Sequence, residues 1–103
     1  MNGDILESIL ALIPEALFPK KKDRPLSEMY LEKDFGIYGD DAAEFIEKFS
    51  EKFNVDISDF EHSDYFTPET PFYFFYKLFS KRKRKDIRIK DLEIGVIKGK
   101  LPN

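Results

Sequence analysis

The 103-residue chain has no cysteine, no tryptophan and one histidine, His62. Without cysteine there is neither a disulfide framework nor a thiolate to serve as nucleophile. Transition-metal sites draw on several His or Cys donors at defined spacing, so one histidine excludes them. His62 stands among Asp56, Asp59, Glu61 and Asp64, but these carboxylates lack the central glycine and spacing of a calcium loop. There is no Ser-His-Asp set, no glycine-rich phosphate cradle and no nucleophile elbow. The adjacent pair Asp40-Asp41 belongs at a helix start where both are wet. Acid–base catalysis instead needs carboxylates in differing environments inside a cleft. These absences argue against an enzyme, a resident metal and a cofactor.

Long apolar runs are missing too. No stretch approaches the ~18 consecutive apolar residues of a membrane span. The first apolar run is flanked by Asp4 and Glu7, where an export signal would carry positive charge. The expectation is a soluble, cytoplasmic protein.

What the chain does have is aromatic mass and uneven charge. Its length suits one domain and one core over residues 1–103. Eleven Phe and five Tyr supply that core, each buried Phe being worth roughly 1.5–3 kcal/mol. The net charge of −3 hides a division. Residues 28–70 carry thirteen acids against three bases, and residues 71–103 carry ten bases against three acids. An acidic face and a basic tail follow.

Apolar residues at Ile5, Leu6, Ile9, Leu10, Leu12 and Ile13 have helical spacing, which Pro14 interrupts. The pattern resumes weakly through Ala16 and Leu17. Pro19, Lys20-Lys21-Lys22 and Pro25 mark a loop. Ala42, Phe45, Ile46, Phe49 and Phe53 form one stripe of an amphipathic helix over 41–53. Asp41 with Glu44 offers a capping box, Gly39 a tight entry, and Asn54 a stop. Val55, Ile57 and Phe60 read as a connection packed back on the core. Residues 72–79 are aromatic or aliphatic apart from Lys77, which leaves helix and strand both open. The basic run Lys81, Arg82, Lys83, Arg84 and Lys85 reads as loop. A last helix starts near Lys90, with Ile89, Leu92 and Val96 on one side, Gly95 as an internal cost and Gly99 as C-terminal cap.

The segment Asp34-Phe35-Gly36-Ile37-Tyr38-Gly39-Asp40-Asp41-Ala42-Ala43-Glu44-Phe45 resembles the attachment-site signature of acyl carrier proteins, roughly Asp-Leu-Gly-x-Asp-Ser-Leu-x-x-x-Glu-Leu. Asp34, Gly36 and Glu44 match outright, and Phe35 and Phe45 stand for leucines. With Phe53-Asn54-Val55-Asp56 and Tyr65-Phe66, the chain resembles still more closely an uncharacterised Gram-negative bacterial family of acyl-carrier-like proteins. The resemblance implies an all-α, acyl-carrier-like helical bundle, with an extended aromatic and basic connection before the last helix. Tyr38 stands for the Asp of the Asp-Ser pair, and Gly39 takes the position of the serine that carries phosphopantetheine. That serine sits at a helix start because free amides and the dipole favour a phosphate there. Glycine has no oxygen to modify, and Asp40 and Asp41 oppose a phosphate.

The resemblance implies a partner-docking role for the second helix, since carrier proteins present an acidic helix to basic partner surfaces. Asp40, Asp41, Glu44, Glu47 and Glu51 are the candidate partner-binding residues, against the plainer reading of a solvated face diluted by Lys48 and Lys52. The expectation is a non-enzymatic interaction or regulatory module for a protein with a basic patch, without a cofactor. One alternative is a carrier modified at another hydroxyl. Another is a membrane or nucleic-acid binder acting through residues 72–85. Five cations at an anionic membrane are worth at most about 5 kcal/mol, at ~1 each, while ten excess acids in the middle segment oppose both surfaces.

Overall fold

The computed structural model describes residues 2–20, 23–67 and 85–102. The stretch 72–79 and the basic run up to Arg84 lie outside the described residues. Three longer helices, α1 (Asn2–Leu10), α2 (Gly39–Phe53) and α4 (Ile89–Lys98), and the single turn α3 (His62–Tyr65) make the described part all-helical.

Helix α1 turns its apolar side inward, with Ile9 buried and Ile5, Leu6 and Leu10 packed on the core. It ends at Leu10, earlier than the apolar pattern suggests. The amides of Leu12 and Ile13 bond back three residues, to Ile9 and Leu10 (both 3.0 Å), a tightening common at helix ends. Pro14 has no amide to donate and opens a 3-10 turn over Glu15–Leu17. A second 3-10 turn, Leu26–Glu28, follows Pro25.

The path into α2 winds through residues 30–37. The amides of Asp34 and Phe35 donate to Tyr30 O, and that of Ile37 to Leu31 O. Gly36 takes a left-handed φ of +72°, which glycine adopts without steric cost. This winding buries Leu31, Phe35 and Ile37 together. The edge of Phe18 meets Phe35 at 5.5 Å.

In α2, Ala42, Phe45, Ile46 and Phe49 are buried as the periodicity predicts, while Phe53 is only half-buried. Asn54 closes the helix in the left-handed conformation (φ +56°), its amide donating to Ser50 O. The Ser50 hydroxyl donates to Val55 O at 2.6 Å. Val55 and Phe60 then return to the core, with Ile57 at its edge.

Two isolated bridges join distant segments. In the antiparallel one, Tyr30 faces Arg88, with Leu31 N donating to Ile87 O (2.9 Å) and Ile89 N to Met29 O (3.0 Å). In the parallel one, Asp56 faces Lys100, through Asp56 N to Gly99 O (2.9 Å) and Leu101 N to Asp56 O (2.8 Å). Helix α4 packs along α1. The Asp91 carboxylate accepts the Arg88 backbone amide at 2.9 Å across its first turn, and left-handed Gly99 (φ +80°) closes it. Gly95 is buried, and a Cβ there would lie 2.7 Å from Leu101 Cδ2. A residue that costs helix propensity thus leaves room for the close approach of the tail.

Candidate functional site

The start of α2 differs from the sequence expectation. The helix begins at Gly39 rather than Asp41, and Tyr38, extended at φ −154°, occupies the N-cap without a side-chain hydrogen bond. The capping box of Asp41 and Glu44 does not form, because both residues already lie inside the helix with exposed side chains. A long-range tie fixes the entry. Gly39 N donates to Thr67 O at 2.9 Å, and the Glu32 carboxylate accepts Thr67 N at 2.9 Å. Gly39 itself has φ +59°, a conformation that costs a residue with a Cβ roughly 1–2 kcal/mol. The position matching the carrier serine thus lacks a hydroxyl and has a backbone unsuited to serine. A phosphopantetheine attached here does not fit.

All five candidate partner-binding acids are exposed. With 3.6 residues per turn, Asp40, Glu44, Glu47 and Glu51 form one line along α2, opposite the buried stripe of Ala42, Ile46 and Phe49. Asp41 sits beside this line. Lys48 approaches Glu44 at 3.9 Å, both side chains being largely exposed, and such a contact is worth little. Lys52 leaves the acids and reaches back to Ser8 O at 3.4 Å. Both lysines therefore lie on one flank, and no base of α2 itself interrupts the outward line of four acids.

On that flank the helix borders a groove of about 160 Å³, lined by Leu12, Pro14, Leu17, Ile37, Asp41, Glu44, Phe45 and Lys48. Its floor is apolar, and its α2 rim carries two acids and one lysine. Sequence reasoning missed the groove, since Leu12 and Leu17 belong to the turns after α1, some thirty positions from Phe45. The only local signal was the pair Asp41 and Glu44 beside Phe45.

The His62 neighbourhood has another character. Its ring meets Phe60 edge-on at 5.1 Å, and Phe60 stacks on Tyr65 at 4.7 Å. The His62 Nδ1 is buried and has no hydrogen-bond partner among the described residues. Lys85, the described end of the basic run, lies 5.5 Å over the Tyr65 ring and donates its amide to Asp64 O. Lys85 and Tyr65 line a wider cleft of about 530 Å³ with Tyr30, Phe60 and Arg88. There the Arg88 guanidinium, raised in pKa by its hydrogen bond to Asp91, is already engaged. Among the described residues no three His, Cys, Asp or Glu side chains gather into a metal-binding group. Among the same residues no helix is long and apolar enough to cross a membrane.

The fold and site define a small helical domain with an acidic, grooved second helix. Residues 1–99 match the model of the family described as "Protein of unknown function (DUF1493)". The chain belongs to that family. No curated protein matches significantly, and no solved structure does.

Proposed function

We propose that this chain is a non-enzymatic interaction or regulatory module of acyl-carrier-like build, acting in the cytoplasm without a prosthetic group. Its partner is a protein with a basic surface patch, met by Asp40, Asp41, Glu44, Glu47 and Glu51. The observation that carries this reading is the unbroken outward line of acids on α2, opposite its buried stripe. Acids near a helix N-terminus are stabilised by the dipole, which accounts for Asp40 and Asp41. Glu47 and Glu51 lie beyond its reach, so the dipole leaves the rest of the line unexplained. Opposed charge steers association and selects partners. The test compares capture of the native partner, and sedimentation with anionic liposomes, for two variants. One reverses Asp40, Asp41 and Glu44 to lysine. The other neutralises Lys81, Arg82, Lys83, Arg84 and Lys85. Loss of capture in the first alone supports the acidic helix. Loss of partner or liposome binding in the second alone transfers the function to the basic segment.

A further inference from the structure

The groove beside α2 adds shape to a surface described so far by charge. Its floor is Leu12, Leu17, Ile37 and Phe45, and its volume is about 160 Å³. An apolar cavity of about 150 Å³ accommodates one benzene-sized group, so this space suits a single large side chain. Leu12 and Leu17 are half-buried while Ile37 and Phe45 are buried. The floor is thus partly open, and an inserted side chain would complete it.

The rim specifies what surrounds that side chain. Asp41 and Glu44 lie three residues apart on α2, hence side by side, and border the groove. Lys48 borders it one turn further on. The rim is therefore polar along its length, acidic toward the helix start and basic toward its middle. Beyond it runs the line of Asp40, Glu44, Glu47 and Glu51.

We infer that the groove seats one large apolar side chain from a basic segment of the partner protein, with lysine or arginine on the side of that anchor facing Asp40 and Asp41. This rests on the docking reading of α2 and adds the anchor and its polarity. A buried apolar anchor ringed by charged contacts is how small interfaces concentrate their affinity. At the groove rim Lys48, on the flank away from the outward line of acids, disfavours a cation at that end and so orients the segment.

Phage-displayed random 12-residue peptides, selected on the immobilised full chain, supply the probe. The enriched peptides carry one Leu, Ile, Met or Phe with at least two neighbouring Lys or Arg. Replacing that anchor by Ala, or introducing Leu17→Lys into the groove, weakens binding at least tenfold. Asp41→Lys with Glu44→Lys does the same. Lys48→Glu leaves the apolar floor intact and tightens binding severalfold, a readout that survives even if Leu17→Lys fails to fold. Basic peptides without an anchor, indifferent to Leu17→Lys yet lost with Asp41→Lys and Glu44→Lys, would overturn the groove inference and spare the acidic-helix reading. Enrichment of nothing, or of peptides indifferent to both acid reversals, overturns both. Self-association of the wild type in analytical ultracentrifugation, abolished by Leu17→Lys, would make the occupant a second copy and refute the partner.

Discussion

Arg24 grips Asp34 with two parallel hydrogen bonds, Nη1 to Oδ2 and Nη2 to Oδ1, both 2.8 Å long. The same carboxylate accepts the Tyr30 amide at 2.7 Å, so Asp34 joins the loop before Pro25 to the winding that leads into α2. Its side chain is only 13% exposed. The Arg24 hydrogen bonds, helped by the Tyr30 amide, hold its pKa below the ordinary carboxylate range.

Acid lability should therefore carry the signature of Asp34. A carboxylate depressed in the folded state contributes stability that is fully present above its unfolded pKa, about 3.9. That contribution is lost as pH falls through the lower folded value. Thermal unfolding of wild type and Asp34→Asn across pH 2–7 tests the sign. The wild type should melt higher at pH 5–7, with the gap closing below about pH 4. A gap independent of pH would show that the ion pair does not couple to folding.

Phe49 is completely buried and its ring lies 5.3 Å from that of Phe53. Phe49→Ala should cost about 3–5 kcal/mol, a large share of a typical total of ~5–15. Phe53→Ala, at a half-buried site, should cost distinctly less. Equal midpoints for the two variants in chemical denaturation would contradict the packing described.

At Gly39 the backbone conformation makes its own prediction. Gly39→Ser should lower stability by roughly 1–2 kcal/mol, the cost of holding a residue with a Cβ in the left-handed region. Wild type co-expressed with a broad-specificity phosphopantetheinyl transferase should keep its unmodified intact mass. A prosthetic-group mass on the wild type would show a carrier modified at another hydroxyl and refute the proposed absence of a prosthetic group.

Gly95 offers a test of close packing. Ala is favoured over Gly in a helix by about 1 kcal/mol, yet the new methyl would press on the buried Leu101 side chain. Overpacking costs typically 1–3 kcal/mol, so Gly95→Ala should be destabilising on balance, by about 1 kcal/mol. In a Leu101→Ala background the same change should become neutral or stabilising, because the obstructing Cδ2 is gone. A coupling of this sign in a double-mutant cycle identifies the contact.

How much of this was readable from the chain depended on the range of each interaction. The buried stripe of α2 was legible because its period is local, and so were Asn54 and Gly99, whose left-handed caps follow from their own backbone preferences. The start of α2 was not, since it depends on Thr67 meeting Gly39 across nearly thirty residues. Arg24 gave no signal as the partner of Asp34, ten positions away in a segment without periodicity. In sequence Gly95 is only a cost to its helix, and the contact with Leu101 that explains it is not local. The groove was hidden for the same reason, its two walls being contributed by unrelated stretches.

The two bridges also bear on how fast this molecule can assemble. Joining Leu31 to Ile87 and Asp56 to Leu101 requires closing loops of more than forty residues, and α1 meets α4 only when the two ends of the described chain come together. Helical proteins that fold within microseconds to milliseconds do so because most of their contacts are close in sequence. Here the ordering entropy of long loops is spent before the bridging contacts reward it. Despite its helical content, the chain should therefore refold at rates nearer those of mixed α/β domains, with helix appearing ahead of the tertiary clasp.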